Sequence, residues 1–202
     1  FGLQLKYGIY ADYGMHKDLL RDLLLLYSSS EKKLVTLKEY VSRMKEDQKY
    51  IYYACGETVE RIDLLPQTEA LKEKGYEILY LTDNVDEFAL RIMMKYDDKE
   101  FRSVSADDLG LETEEEKKAA EKQVEENKDL LAFLRDSLDG KVKAVILSQK
   151  LKSHPVCLST EGAISMEMEK VLNSMPMPEG EKVQAQRVLE INANHPIFTK
   201  LT

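Results

Sequence analysis

Two short runs of strand-forming residues set the limits on what this chain can fold into. Tyr50-Ile-Tyr-Tyr-Ala54 is rich in aromatic and β-branched side chains, which favour extended backbone. Tyr76-Glu-Ile-Leu-Tyr-Leu81 shows little alternation of apolar and polar positions, so it reads as a strand covered on both faces. Such strands are typically parallel, and parallel neighbours need a crossover. The residues around them supply helices. Pro66 suits the first turn of one, and Gly75 suits the position just past its end. Asp83 to Tyr96 opens with Asp83, Asp86 and Glu87 and continues apolar, as a helix does when carboxylates meet its positive end. Strand, helix, strand, helix predicts a small parallel α/β unit.

The flanks are read by the same rules. Phe1-Gly-Leu-Gln-Leu-Lys6 alternates like a strand. Leu19, Leu20, Leu23, Leu24 and Tyr27 form an apolar stripe that predicts a helix over 14–27, closed by the polar Ser28-Ser29-Ser30. Thr36-Leu-Lys-Glu39 is a capping box and opens a helix running to about Lys45. The acidic and small residues of 97–112 mark a boundary. Thr113-Glu-Glu-Glu116 is a second capping box. Its helix is expected to reach Leu138 and stop at Gly140, with Leu130, Leu131, Leu134 and Leu138 as its apolar face. Lys141–Leu147, Pro155–Ser159 and Arg187–Asn192 read as strands and Glu161–Met175 as a helix. Ser174–Gly180, with two prolines and a glycine, reads as a mobile connection. The expected fold is thus α/β in its first half and α+β overall. Both ends fall in mid-pattern and read as cuts in a longer protein.

Composition narrows the function. Asp and Glu number 37 against 29 Lys and Arg, a net charge of −8, so no nucleic-acid partner is expected. The longest aliphatic run, Leu23–Leu26, is far below the ~20 residues of a membrane span. No secretory signal precedes it. Two cysteines, Cys55 and Cys157, suit a reducing cytosol and read as small buried hydrophobes. No Gly-rich phosphate loop or nucleophile elbow is present. His16, His154 and His195 lack metal-ligand spacing. No catalytic, cofactor or metal site is expected. An enzyme built on Tyr52, Asp83 and Asp86 is the remote alternative, because acids at a helix start more often serve its dipole.

One feature stands out. Four of the eight methionines lie between Met166 and Met177. On a helix, Ile164, Met168, Val171, Leu172 and Met175 fall on one stripe. Such a stripe is either core or an exposed, adaptable binding face, for which flexible and polarizable methionine is well suited.

Glu39-Tyr-Val-Ser-Arg-Met-Lys-Glu46, Gln48 and Ile51-Tyr-Tyr53 together resemble a motif of the ninety-kilodalton heat-shock chaperones. Lys74-Gly-Tyr-Glu-Ile-Leu79, Asp83 with Val85-Asp-Glu87, and Phe101-Arg-Ser-Val-Ser105 continue the resemblance, as do Val156–Thr160 and the Met-rich helix. It covers essentially the whole chain and is patchier in the acidic helix. The resemblance implies that residues 1–35 are a helical connector and 36–102 a small α/β subdomain, together the end of the middle domain. Residues 103–202 would be most of the C-terminal domain, short of its last dimerisation helices. The ATP and magnesium site of the full-length chaperone, a cytoplasmic homodimer, would lie outside these residues. Ile164, Met168, Val171, Leu172 and Met175 would contact non-native client proteins. The alternative is a structural interdomain or dimerisation module that touches no client.

Overall fold

The computed structural model describes residues 1–175 and 182–201. The chain divides into two compact units, Phe1–Leu65 with Leu71–Val104, and Pro66–Ala70 with Ser105–Thr202.

The first unit is built on a six-stranded sheet. Its strands are β1 (Leu25–Ser28), β2 (Leu34–Thr36), β3 (Ile51–Cys55), β4 (Ile78–Leu81), β5 (Lys95–Tyr96) and β6 (Lys99–Ser103), in the order β2-β1-β4-β3-β6-β5. The parallel unit expected from the sequence is its centre: β3 runs parallel to β4 and to β6. All four residues of β4 are buried, as the missing alternation predicts. The outer pairs β1–β2 and β5–β6 are antiparallel. The helices of this part of the chain are α1 (Gly2–Ala11), α2 (Lys17–Leu20), α3 (Leu37–Arg43), α4 (Val59–Asp63), α5 (Glu69–Glu73) and α6 (Asp86–Met93). The α3 capping box forms as predicted, with the Thr36 hydroxyl accepting from the Glu39 N–H and the Glu39 carboxylate accepting from the Thr36 N–H at 2.7 Å. Gly75 takes the left-handed conformation (φ +67°) after α5.

Two expectations are corrected here. Phe1–Lys6 opens helix α1 rather than a strand, because the buried positions Lys6 and Ile9 lie three apart. The helix predicted over 14–27 ends early: after α2 and a short 3-10 turn, Leu25–Ser28 extends as β1. Leu24, Leu26 and Ser28 are buried with a period of two, and Tyr27 and Ser28 pair with Tyr80 and Leu79 of β4. The run of four leucines satisfies both periods, and sheet pairing decides between them. The two units meet at Val104 and Ser105, inside the 97–112 range; the start of that range still belongs to the first sheet, where β5 and β6 turn back at Asp97 at φ +50°. Helix α4, capped by the Thr58 hydroxyl, was not expected. Ile9, Leu26, Leu37, Tyr40, Ile51, Tyr53, Leu79 and Leu90 belong to one core cluster of this unit.

The second unit carries a three-stranded sheet of β7 (Ala144–Leu147), β8 (Val156–Glu161) and β9 (Gln186–Ile191), ordered β7-β9-β8. β7 is parallel and β8 antiparallel to β9. The expected long helix is two helices, α7 (Glu114–Glu126) and α8 (Lys128–Ser137). They part at Asn127, whose backbone turns to φ −113°, ψ 12° and whose side-chain amide donates to the Gln123 carbonyl. The Thr113–Glu116 capping box is present and Gly140 takes φ +75°. Leu131 of α8 packs with Val145, Leu147, Ile191 and Phe198. The last α-helix among the described residues is α9 (Met166–Ser174). Most of the connection expected over 174–180 lies outside the described residues. Together these elements make an α+β fold. Among the described residues no helix is long and apolar enough to cross a membrane.

Candidate functional site

The candidate face lies on α9, and the local chemistry sets where that helix starts and stops. Ser165 is extended (φ −79°, ψ 164°), and its hydroxyl accepts from the Met168 N–H at 3.1 Å. The helix therefore begins at Met166, not at Glu161. Met175 is extended at the other end; it precedes Pro176, and a residue before proline is pushed out of helical backbone. Ile164 is consequently not on the helix but in the segment leading into it, where it is half-buried. Met168, Val171 and Leu172 are half-buried on α9, and Met175 is 47% exposed.

Polar side chains hold α9 in place. The Glu169 carboxylate accepts from the Ala185 N–H at 3.1 Å and from the Arg187 guanidinium at 2.9 and 3.1 Å. One turn on, the Asn173 amide brackets Val183, donating to its carbonyl at 2.8 Å and accepting from its N–H at 3.0 Å. Burial pushes the Glu169 carboxyl up, but the Ala185 N–H and Arg187 outweigh it and hold the group below its ordinary value. Residues four apart share a helix face, so Glu169 and Asn173 turn one side of α9 toward 183–187. At 100° per residue, Leu172, Met168 and Val171 lie progressively farther from that side. The structure thus brings Met168, Val171 and Leu172 onto one flank of α9, sets Met175 just past its C-terminal end and leaves Ile164 in the segment before it. Sequence reasoning missed Glu169, Asn173 and Arg187. Only the i, i+4 spacing of the first two was visible, and it carries no information about a partner strand.

The acids of the alternative site already have partners. The Lys6 ammonium lies 2.6 Å from Asp86 and 3.0 Å from Asp83. The second Asp86 oxygen accepts from the Asp83 N–H. Glu87 accepts from Arg91 and from the hydroxyl of Tyr53, at 3.2 and 3.3 Å. Successive strand residues face opposite sides, and the Tyr52 ring stacks on Tyr76 with centroids 5.9 Å apart. Both cysteines are free thiols. Burial pushes Cys157 up to about 12, while Cys55 is only half-buried, a correction to its expected burial. Among the described residues no group of three His, Cys, Asp or Glu side chains could hold a metal ion.

The whole chain, residues 1–202, matches the family described as Hsp90 protein. It is 62% identical to the chaperone protein HtpG of Clostridium acetobutylicum, 59% to that of Alkaliphilus oremlandii and 56% to that of Bacillus licheniformis. Each comparison takes in all of this chain and 32% of the relative. The chain therefore spans about a third of the length of these curated relatives.

Proposed function

The chain belongs to the Hsp90 protein family, and from that premise we propose that it is a client-holding segment of a chaperone. The observation that carries the proposal is the division of α9 into two sides. Glu169 and Asn173 anchor one, and the methionine-containing flank of Met168, Val171 and Leu172, continued by Met175 just past the helix end, keeps solvent access. A non-native protein exposes apolar segments, and covering them returns ~25 cal/mol per Å². A flank carrying two methionines can adapt to segments of different shape without a fixed pocket. The acidic surface keeps the chaperone soluble and favours basic, partly unfolded clients. Ile164 joins the contact from the segment that leads into α9.

The same premise supports the domain assignment: 1–35 as connector and 36–102 as subdomain of the middle domain, and 103–202 as C-terminal domain. Relatives three times longer leave room for ATP and magnesium binding outside these residues, and for homodimerisation in the cytoplasm. The segment then links the ATPase part to the dimer contact, with no catalysis of its own.

The test is nucleotide-free suppression of aggregation of a heat-denatured client by the full-length protein and by its Met168→Glu/Leu172→Glu variant. Suppression is expected to be lost in the variant, with its thermal melting unchanged. Equal suppression by both proteins would make α9 a structural element, and the interdomain-module reading would replace this one.

A further inference from the structure

A second face of the C-terminal unit has its own chemistry. A cleft of about 470 Å³ is lined by the 107–112 segment, by α7 and by the end of β7. That volume falls in the range of small-ligand pockets, roughly 300–1,000 Å³. Its floor is apolar. Leu147 is fixed in the β7 core at 5% exposure, and Ala120 and the 40% exposed Val124 line the cleft from α7. Its walls are acidic, with Asp107, Asp108 and Glu112 on one side and Glu121 and Glu125 on the other. Lys117 is the one cation among the lining residues. Among the described residues, Asp107, Glu112 and Glu121 make no ion pair. Burial pushes the Asp107 carboxyl up against the pull of Lys150, and burial together with the Asp108 charge pushes Glu112 up. Glu125 is paired with Lys128, so the uncompensated wall charge is that of Asp107, Glu112 and Glu121, and Val124 leaves part of the apolar floor exposed.

We infer that this cleft docks a basic, amphipathic polypeptide segment of a partner protein, with an apolar side chain on Val124 and Leu147 and flanking Lys or Arg residues against Glu112 and Glu121. Charge complementarity selects the sign of the partner, and the apolar floor selects a peptide over a simple polycation. None of the described α9 residues lines the cleft, so this site stands apart from the client contact proposed above and does not rest on it.

The probe is a short fluorescent peptide alternating lysine and leucine, titrated into the full-length protein. Glu112→Gln/Glu121→Gln is expected to weaken binding about tenfold, and Val124→Ser is expected to weaken it as well. Both variants should melt as the parent does. High salt should weaken the parent more than the charge variant. The Met168→Glu/Leu172→Glu protein should bind the peptide as the parent does. Three results would overturn the inference. Spermine competing as well as the unlabelled peptide would reduce the cleft to a counter-ion site. Binding lost in the α9 variant but kept in both cleft variants would make the peptide a client of α9. No binding to the full-length protein would mean that another part of the chain covers the cleft.

Discussion

Glu169 on α9 and Arg187 on β9 are joined by two hydrogen bonds, 2.9 and 3.1 Å, from one guanidinium nitrogen to both oxygens of one carboxylate. The Ala185 N–H donates to the same carboxylate. These contacts fix which side of α9 turns inward, although the helix has no fully buried residue of its own.

Glu169→Ala should therefore free the helix without unfolding the unit. A partly exposed, charge-assisted contact of this kind contributes about 1 kcal/mol, a fivefold change in local opening. Hydrogen exchange at 166–174 should accelerate by about that factor, with exchange in β4 unchanged. Because the Glu169 carboxyl is held below its ordinary value, the latch is complete above that value. It is lost as pH falls through the lowered one.

Lys6 of α1 and Asp86 of α6 form an ion pair with side chains 8% and 2% exposed. Burial alone lowers the Lys6 ammonium, but Asp86 and Asp83 outweigh it and raise it. Lys6→Met leaves the Asp86 carboxylate buried beside an apolar chain. The expected cost is about 3–5 kcal/mol in urea denaturation of the first unit. Adding Asp86→Asn should recover part of it. A loss below about 1 kcal/mol in the single variant would show that the pair behaves as a surface contact.

Glu69 organises the loop before β8. Its carboxylate accepts from the Lys152 and Ser153 N–H groups at 2.7 and 3.1 Å, and it bonds the Ser153 hydroxyl and the His154 ring. Burial raises this carboxyl, but the Ser153 hydroxyl, the Lys152 N–H and the His154 ring together bring it down to about 2. The stabilisation is present above the ordinary value of 4.5 and disappears as pH falls toward 2. Amides 152 and 153 should lose exchange protection across that window. In Glu69→Gln their protection should be weaker and independent of pH there. An unchanged pH profile in the variant would assign the acid sensitivity to another carboxylate.

Local chemistry was legible wherever neighbours in sequence are also partners in space. Thr36 with Glu39, and Thr113 with Glu116, announce two helix starts because the residues that satisfy each other lie three apart. The unalternating run of β4 announced a strand covered on both faces. The misreadings have one cause. Leu19–Tyr27 satisfies a helical stripe and an alternating strand at once, and only pairing of Tyr27 with Tyr80 selects the strand for its last residues. Phe1–Lys6 alternates, yet the burial of Lys6 and Ile9 makes it helical. The candidate residues on α9 were found by their period, but Ile164 fell outside the helix because Ser165 is the better cap.

The sequence by itself determined the family, the acid balance, the parallel centre of the first sheet and the caps of α3 and α7. These depend on residue type and short spacing, which the chain carries along its length. Tertiary structure alone decided which side of α9 is anchored and where the carboxylates of α6 spend their charge. It also brought Asp107, Glu121 and Leu147 around one cleft. Glu169 and Arg187 are 18 positions apart and Lys6 and Asp83 are 77 apart. Pairings at such separations are set by chain topology, which no local pattern records.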